Sequence, residues 1–538
     1  MEKKRARSQP KVTLRLRRDL HEVNRTESTH RFILGDAPSR PQRTAVCVRC
    51  TDDGMPSSIE LERPAHSYFP VYFHVSPSGD VVISDTMGFL HDLARREEVG
   101  LNTSAQLDHL LFGRPPGVGL LSALEVVDHG ERVYLQSDGE RWNIVSRNRY
   151  DAFYHNNDVY WRESIDYIST RLQQAVRSLS PKYLLFSGGV DSTLLKTILG
   201  SNIELLSGRL PEKEFAEEVE QAARAAALFD ADHRYVDVDH DDFVDYLVEI
   251  TRRTGLPCPA MQHVLQTRVA AHADGSVCYG ELGDGTFGLP LIAAPGLENW
   301  VSRTELEPAA AASRKFSLAS TRDQDQCFDQ RLEEIYGPTD EAHLRRSRRA
   351  RQLVQWSPTL KGSDRRWEQF LTYGHLIDFL TVGCVKYVRD FASSQAVTVH
   401  TPFTARALID SFHRCDPATR YRDADQTKPV LKALLSKNLP EYPVNRSKLA
   451  SGLPRTWYFT EGPLREIFQR FPPPSPMDDA VARAIEKPRW TNSWILWPTL
   501  SYSVWYHEWF DSGDVAARPD LVIHRLGEMT EGSSRIAG

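Results

Sequence analysis

The sequence predicts an α/β protein in which a β-rich N-terminal region precedes a parallel sheet, and a helical part follows the sheet. Three changes in the spacing of apolar residues support this prediction. Short alternating segments between turn residues fill positions 31 to about 150. From Trp161 onward strands and helices alternate, which is typical of a parallel sheet covered by helices on both faces. After Trp367 the spacing is mainly helical.

The composition is that of a globular protein, with 538 residues, 41% apolar and 26% charged, enough for two or three domains. A net charge of −6 gives no general support for nucleic-acid binding, and no apolar run reaches the ~18 residues of a membrane span. Seven scattered cysteines do not suggest a disulfide framework, so we expect a cytoplasmic protein. Cys47 and Cys50 form one CxxC, which we interpret as two ordinary thiols on a strand rather than part of a zinc site.

The first 30 residues are rich in Lys and Arg and lack the apolar core of a secretory signal. We interpret residues 1–30 as a basic tail, with a contact to an acidic partner as the alternative. Residues 31–155 are predicted to form the β-rich domain. In it, "YFPVYFHVSPSGDVVISD" predicts two strands around a Pro-Ser-Gly-Asp turn, and "HGERVYL" predicts another.

The second domain is predicted to span residues 160–515 and to begin with a helix, because apolar residues recur three or four apart from Ile165 to Leu179. The expected elements after it are a strand at Tyr183–Phe186, a helix from about Asp191, a strand at "IELLS", a helix marked by Phe215, Val219, Ala222 and Ala226, a strand at "HRYVDVD", a helix near Gln262 to Ala271, and a strand at "SVCYG". This order predicts a parallel sheet.

Three later segments complete the predicted organisation. Residues 296–365 are polar and basic, including "RRSRRAR", and predict an insertion whose charges either face solvent or form a binding patch. The aromatic segment "WTNSWILWPTLSYSVWYHEWF" has Trp494, Trp497, Trp505 and Glu508 at helical spacing, which favours a core-packing helix over a cofactor site. Residues 516–538 are expected to form a C-terminal tail.

The segment "YLLFSGGVDSTLLK" has the features of a phosphate-binding loop between a strand and a helix. Gly188 and Gly189 allow a sharp turn that points amide groups into one concavity, and the following helix directs its positive end there. Asp191 would repel phosphate unless a divalent cation lies between them, and Mg²⁺ is commonly held by one or two carboxylates plus phosphate oxygens. The Walker pattern is absent. The alternative interpretation is a Gly-rich turn that only caps a helix.

A second carboxylate loop follows in "CYGELGDGTFG", where Asp284 is the expected second Mg²⁺ ligand and Glu281 stands three residues before it. A leaving polyphosphate also needs cations. Lys428 in "DQTKPVLKALL" and Lys448 in "PVNRSKLASGLP" are the candidates, although a lysine in such a segment, taken by itself, is more often a surface residue.

These segments, taken in order, resemble the asparagine synthetases and their relatives. "SGGVDS" resembles the pyrophosphatase-type loop of that family, "GELGD" its second metal loop, "HTPFTARALIDSF" its E-x-R-x-P-F region, and "TKPVLKALL" and "RSKLASGLP" its two lysine segments. The resemblance covers about residues 160 to 510. It implies that ATP adenylates a carboxylate with release of pyrophosphate, and that an amine then displaces AMP.

The resemblance also implies a role for each matching residue. Asp191 and Asp284 would hold Mg²⁺, Lys428 would contact the departing pyrophosphate, and Lys448 would stabilise charge during amide formation. Glu281 stands where asparagine synthetases have a glutamate and β-lactam synthetases a tyrosine, and it counts with the two lysines as a candidate catalytic residue. The residues expected to bind ATP are Ser187, Gly188, Gly189, Asp191, Ser192, Leu206, Ser207 and Gly280, with the adenine beside the segment 205–208.

The N-terminal region resembles the family's glutaminase domain only in outline, and we predict a degenerate domain without glutaminase activity. That domain uses a cysteine at position 2 as its nucleophile, whereas this chain has Glu2, and its first cysteine is Cys47. Two further departures concern the second domain. Thr398 stands where relatives have the glutamate of E-x-R-x-P-F, which argues against β-lactam closure, and Gly285 replaces a frequent acidic residue.

The sequence therefore predicts an ATP- and Mg²⁺-dependent amide ligase of natural-product biosynthesis, with macrolactam formation of the lasso-peptide type as the specific hypothesis. The alternatives are an amide ligase for small molecules or free ammonia, a sulfur-inserting or RNA-modifying enzyme with the same loop, and an inactive nucleotide-binding scaffold. The expected partners are carboxylate and amine substrates, a precursor peptide among them, and a protease or leader-binding protein. Neither nucleic acid nor a membrane is expected.

Overall fold

The computed structural model describes most of both predicted domains. It covers residues 11–17, 21–26, 28–34, 44–64, 67, 69–87, 101–102, 109, 120–149, 165–177, 179–210, 213–283, 287, 384–413, 428–445, 453, 455–474, 493–511 and 521–526. The predictions for the 296–365 insertion, for Asp284 and for Lys448 lie outside these residues.

The chain divides into two compact units, each described below by itself. Unit 1 comprises Met1–Asn102, Leu121–Phe153 and Ala517–Gly538, and unit 2 comprises Thr103–Leu120 and Tyr154–Ala516. Among the described residues, no helix is long and apolar enough to cross a membrane.

The strands and helices are numbered along the chain. The strands are β1 Val12–Arg17, β2 His21–Thr26, β3 Thr29–Leu34, β4 Thr44–Cys50, β5 Pro56–Arg63, β6 Tyr72–Val75, β7 Val81–Ser84, β8 Glu125–Val126, β9 Glu131–Ser137, β10 Trp142–Arg149, β11 Tyr183–Leu185, β12 Glu204–Arg209, β13 His233–Asp237, β14 Ser276–Cys278, β15 Thr398–His400 and β16 Leu521–Leu526. The α-helices are α1 Ile165–Arg177, α2 Val190–Leu199, α3 Lys213–Ala227, α4 Phe243–Thr254, α5 Gln262–Ala271, α6 Lys386–Ser394, α7 Arg406–His413, α8 Pro429–Asn438, α9 Arg455–Thr460, α10 Ile467–Arg470 and α11 Ser493–Tyr506.

The described strands of unit 1 form two sheets. One has the order β16-β1-β7-β6-β8, in which only β1 and β7 pair in parallel. The other is antiparallel throughout, in the order β10-β9-β5-β4-β3-β2. The predicted hairpin is confirmed as β6 and β7, which are joined by a turn closed by a 2.7 Å hydrogen bond from the Ser76 amide to the Asp80 carbonyl. The strand predicted at "HGERVYL" is β9.

Both segments that the sequence indicated as tails contribute strands to unit 1, so those two predictions were wrong for the described residues. Val12, Leu14 and Leu16 of β1 alternate with more exposed residues and are buried. This alternation with a period of two indicates a strand, but the many basic residues of the segment obscured the pattern. At the other end of the chain, β16 pairs with β1 from Val12–Leu526 to Arg17–Leu521.

Unit 2 contains the predicted parallel sheet, in the order β13-β12-β11-β14-β15. All five strands contribute to one core through Leu185, Leu206, Val236, Val277 and Val399. The direction in which successive strands are added reverses between β11 and β14. In open α/β sheets, ligands bind outside the carboxyl ends of the strands at this point.

The helices of unit 2 mostly follow the predicted spacing, with α1, α2, α3 and α5 at the expected places. The amphipathic helix α4 was not predicted. The aromatic helix α11 packs into the core as expected. The indole N–H groups of Trp497 and Trp505 donate to the carbonyl oxygens of Cys258 and Gly255 at 3.1 and 3.0 Å, which fixes α11 beside the end of α4.

Candidate active site

The loop between β11 and α2 is held in a sharp turn by Gly188. Its φ of +66° lies in the left-handed region, and a Cβ there would come within 2.7 Å of the Gln221 carbonyl oxygen. The Tyr442 hydroxyl donates a 2.6 Å hydrogen bond to the Gly188 carbonyl oxygen. Side chains at this position are therefore excluded, and the loop lies against both α3 and the segment that follows α8.

Two serines fix the inner face of the same loop. The Ser187 amide donates to the Ser192 hydroxyl oxygen at 3.3 Å, and the Ser192 hydroxyl donates to the Gly189 carbonyl at 3.3 Å. The Gly189 amide donates to the Ser187 hydroxyl at 3.3 Å. Gly189 is the N-cap of α2, whose first-turn amides have no acceptor within the helix. The loop thus presents the positive end of α2 as an anion site.

Asp191, in the first turn of α2, forms an ion pair with Lys428 across the site. The Lys428 ammonium donates to Oδ2 of Asp191, and the two side chains are only 8% and 19% exposed. Oδ1 of the same carboxylate is buried and has no hydrogen-bond partner among the described residues. Lys428 is the N-cap of α8 and has a left-handed φ of +57°. The predicted metal ligand and the predicted pyrophosphate-binding lysine are thus in direct contact.

The second loop, which follows β14, lies against the first. A Cβ on Gly283 would be 2.5 Å from Cγ of Asp191, so a side chain there would displace that carboxylate. A Cβ on Gly280 would be 3.7 Å from Cβ of Asp191. Asp284 follows Gly283 directly in the sequence but lies outside the described residues.

These residues fit a magnesium site. Asp191 provides an acidic oxygen that is buried without a hydrogen-bond partner, and Mg²⁺ takes one or two carboxylates together with phosphate oxygens. The part of the chain that the structure describes contains no group of three or more His, Cys, Asp or Glu side chains that could hold a metal ion. Among the described residues the candidate ligand is Asp191, and the expected second one, Asp284, lies outside them.

Glu281 stands at the start of a partly buried chain of polar side chains. The Tyr279 hydroxyl lies 2.8 Å from Oε2 of Glu281 and 2.9 Å from Oε1 of Gln266. His263 Nδ1 also contacts Gln266 Oε1, and Nε2 lies 3.1 Å from the Cys384 sulfur. Burial lowers the pKa of His263, although the negative charge of Glu281 acts in the opposite direction. Burial, reinforced by that same charge, raises the pKa of Tyr279 well above its ordinary value.

A cavity of about 420 Å³ joins these groups at the carboxyl ends of the central strands. Its lining includes nearly every predicted site residue that the structure describes: Ser187, Gly189, Asp191, Ser192, Leu206, Ser207, Gly280, Glu281 and Lys428. Gly188 supports the loop without lining the cavity. The Ser207 hydroxyl donates to the Phe186 carbonyl and lies 2.7 Å from His233 Nε2, so this side chain braces β12 against β11 and β13.

The cavity also contains residues that the sequence analysis did not identify, among them Tyr279, Gln266, Tyr442 and Lys432. Tyr279 and Glu281 are two positions apart after a strand, and Lys432 lies one helical turn beyond Lys428. Both spacings were readable from the sequence. Gln266 and Tyr442 reach the site only through tertiary packing, and no local pattern marks them.

Two further predictions concern residues outside the cavity. Thr398 pairs with Ser276 at the amino-terminal ends of β15 and β14, and it does not line the cavity. Thr398 and Glu281 thus lie at opposite ends of these paired strands, and the argument from Thr398 against β-lactam closure stays a prediction. In unit 1, Cys47 and Cys50 are free thiols at β4 as predicted, and burial raises the pKa of both.

The comparison with known proteins agrees with this geometry. The model of the asparagine synthase family matches residues 168–483, which is more than half of the 538-residue chain. The matched region includes both loops, the cavity and α8. No curated protein sequence matches the chain.

Proposed function

Because the chain belongs to the asparagine synthase family, which is characterised by ATP-dependent adenylation and amide formation, we propose that it is an amide ligase that releases AMP and pyrophosphate. The observation that carries the proposal is the meeting of Asp191, Lys428 and the loop 187–189 in one cavity at the switch point of the sheet. This arrangement has the groups needed to bind a polyphosphate, and Glu281 lies in the same cavity to receive an amine.

In the first step, a substrate carboxylate oxygen attacks the α-phosphorus of ATP, and the bond to the β-phosphate oxygen breaks. The loop 187–189 and the N-terminus of α2 bind the phosphates, and the adenine lies beside Leu206. Lys428 neutralises the departing pyrophosphate, because a fixed ammonium stabilises developing negative charge. When bound, Mg²⁺ would screen the phosphate charge and would be held by Asp191 with Asp284.

In the second step, the amine attacks the acyl carbon of the adenylate and AMP leaves. The nitrogen must lose a proton, and Glu281, one of the carboxylates that line the cavity, is the residue we assign to accept it. Tyr279 holds that carboxylate by a hydrogen bond. Lys448 is the expected source of positive charge for this step, by its position in the matched family segment.

For the amine donor we favour the substrate's own N-terminal amine, and hence ring closure of a peptide through an Asp or Glu side chain. The described thiols of unit 1, Cys47 and Cys50, have raised pKa values, which makes them poor nucleophiles for releasing ammonia from glutamine. The second candidate is an intermolecular ligase, or one that uses free ammonia, which the same cavity would serve equally.

The products of ATP test the proposed reaction class. The protein is incubated with Mg·ATP and a panel of short peptides that have a free N-terminus and an internal Asp or Glu, and the products are followed by phosphorus NMR. We expect AMP and pyrophosphate, and a peptide that is lighter by one water and has no free N-terminus. Asp191→Asn should lose most of this activity, because it removes a metal ligand.

Three outcomes separate the alternatives. ADP and phosphate would contradict the proposed reaction class. If AMP and pyrophosphate form only when ammonia or a second amine is added, the proposed reaction class stands but ring closure is rejected. Release of glutamate from glutamine that is lost in Cys47→Ala would show that unit 1 still acts as a glutaminase.

A further inference from the structure

The contact between Lys428 and Asp191 joins two groups that have different tasks in the proposed reaction. Lys428 is expected to bind pyrophosphate and Asp191 to bind a divalent cation, yet the ammonium donates directly to Oδ2 of that carboxylate. The two residues are 237 positions apart in the chain and come from different helices, α8 and α2. Both side chains are largely shielded from water, so the pair is more than a screened surface contact.

The surroundings of Asp191 limit it to one cation at a time when no phosphate is bound. Gly283 lies against the carboxylate, and Oδ1 is buried without a partner among the described residues. An ammonium and a divalent cation on the two oxygens of one carboxylate would repel each other over a few ångströms in a partly buried site, where the repulsion is only weakly screened. A polyphosphate removes this conflict, because it supplies negative charge to both cations.

We propose that Lys428 is an exchangeable counter-ion that occupies Asp191 in place of the divalent cation until a polyphosphate draws the lysine away. The exchange rests on the proposed function, since it assigns Mg·ATP to this cavity. In this exchange, Asp191 releases the Lys428 ammonium and binds the metal, while Lys428 leaves Asp191 and binds the phosphates. No charge is left without a partner at either stage. The consequence is that metal alone binds weakly, whereas metal and nucleotide bind together.

The backbone of Lys428 suits such an exchange. Its left-handed conformation at the N-cap of α8, followed by Pro429, fixes the position of the Cα. The four-carbon side chain is flexible and ends in a compact charge that can change partners without movement of the helix. The same cavity also contains Lys432, one turn along α8, which would add positive charge on the phosphate side.

Metal and nucleotide binding to variants of Lys428 test the exchange, with effects expected in opposite directions. Binding of Mn²⁺ alone is measured by electron paramagnetic resonance, and binding of Mg·α,β-methylene-ATP by titration calorimetry. In Lys428→Met, Mn²⁺ should bind about tenfold tighter than in the wild type, the ratio expected from releasing one charge-assisted hydrogen bond. The same variant should bind Mg·α,β-methylene-ATP about tenfold more weakly, because one phosphate contact is lost.

Three controls accompany this experiment. Lys437→Met removes a lysine from the same helix whose ammonium pairs with Asp166 at 2.7 Å on the surface, and it should change neither affinity. Asp191→Asn should abolish the tight Mn²⁺ binding of Lys428→Met when the two changes are combined. Lys428→Gln provides a second uncharged side chain if Lys428→Met does not fold, as judged by its thermal unfolding.

The outcomes distinguish this inference from the function on which it rests. Mn²⁺ binding that is unchanged or weaker in both Lys428 variants would overturn the exchange, while tight Mg·α,β-methylene-ATP binding by the wild type would still support the ligase. A wild-type protein that does not bind the nucleotide at all would overturn the proposed function and the exchange with it.

Discussion

The Tyr279 hydroxyl has one proton and two acceptor oxygens within 3 Å, Oε2 of Glu281 and Oε1 of Gln266. When Glu281 is ionised, Tyr279 can donate to it. When Glu281 has taken a proton from the amine, it can donate to the Tyr279 oxygen, and the phenol proton can turn to Gln266. His263 is kept neutral by burial, so that the tautomer protonated at Nδ1 donates to the other lone pair of Gln266. The arrangement accommodates both protonation states of a general base.

Tyr279→Phe removes only this hydroxyl, so it should slow amide formation about tenfold or more, as expected for one hydrogen bond to a charged group. Exchange of labelled pyrophosphate into ATP, supported by whichever acid serves the wild type, should be almost unchanged because it reports adenylation alone. Tyr235→Phe is the matched control, since the Tyr235 hydroxyl bonds to the Val219 carbonyl outside the cavity. Equal loss of both activities in Tyr279→Phe would show that the tyrosine serves the cavity as a whole.

A site residue could be predicted when its role was evident from its neighbours in the sequence, and not when it depended on tertiary packing. Asp191, in a glycine-rich loop between a strand and a helix, was predictable because a carboxylate in an anion cradle implies a cation. The pairing of Asp191 with Lys428 was not, because 237 residues separate them and only the packing of α8 against α2 brings them together. The same holds for Gln266, which lies on a separate helix, α5, and is linked to Glu281 by the Tyr279 hydroxyl.

Among the elements, those with a clear apolar period were predicted, and those without one were not. Helices α1 and α3 and strands β11 to β14 follow periods of 3.6 and 2 residues and occur where expected. Helix α4 was missed although Phe243, Leu247, Val248 and Ile250 lie on a buried face, because its acidic and basic residues interrupt the apolar series. Two-residue strand β8 has too few residues to show any period.

Helix α2 allows a test of its loop, because a glycine with positive φ lies near each end. Gly188→Ala should destabilise the protein strongly and weaken nucleotide binding, since the new Cβ would meet backbone atoms of Gln221 and Ala222 within 3 Å. Gly200→Ala, at φ +83° and ψ −164°, meets no neighbouring atom within 4 Å and should cost about 1–3 kcal/mol through backbone strain alone. Chemical denaturation measures both, and similar losses in the two variants would show that backbone strain, not crowding at the loop, determines the requirement for Gly188.

At the scale of the whole molecule, unit 1 combines segments from near both ends of the chain. Strand β1, near the N-terminus, lies between β7 and β16 in one sheet, and β16 comes from residues 521–526. The sheet of unit 2, in contrast, is formed entirely within residues 183–400. The sequence indicated the sheet of unit 2 because its strands alternate with helices along the chain. It did not indicate the pairing of β1 with β16, because no local pattern links segments about 500 residues apart.

This connectivity predicts that the two units respond differently to loss of the last strand. Deleting residues 521–538 removes the antiparallel partner of β1 over six residue pairs. At about 1 kcal/mol for each of roughly six hydrogen bonds, the lost free energy of unfolding is comparable with the 5–15 kcal/mol that stabilises an ordinary domain. Hydrogen exchange followed by mass spectrometry should therefore show lost protection in β1 and β7 and unchanged protection in β11 to β15. Deleting only residues 527–538 keeps β16 and should leave both units protected. Full protection of β1 in the longer deletion would mean that the parallel pairing with β7 holds this strand without β16.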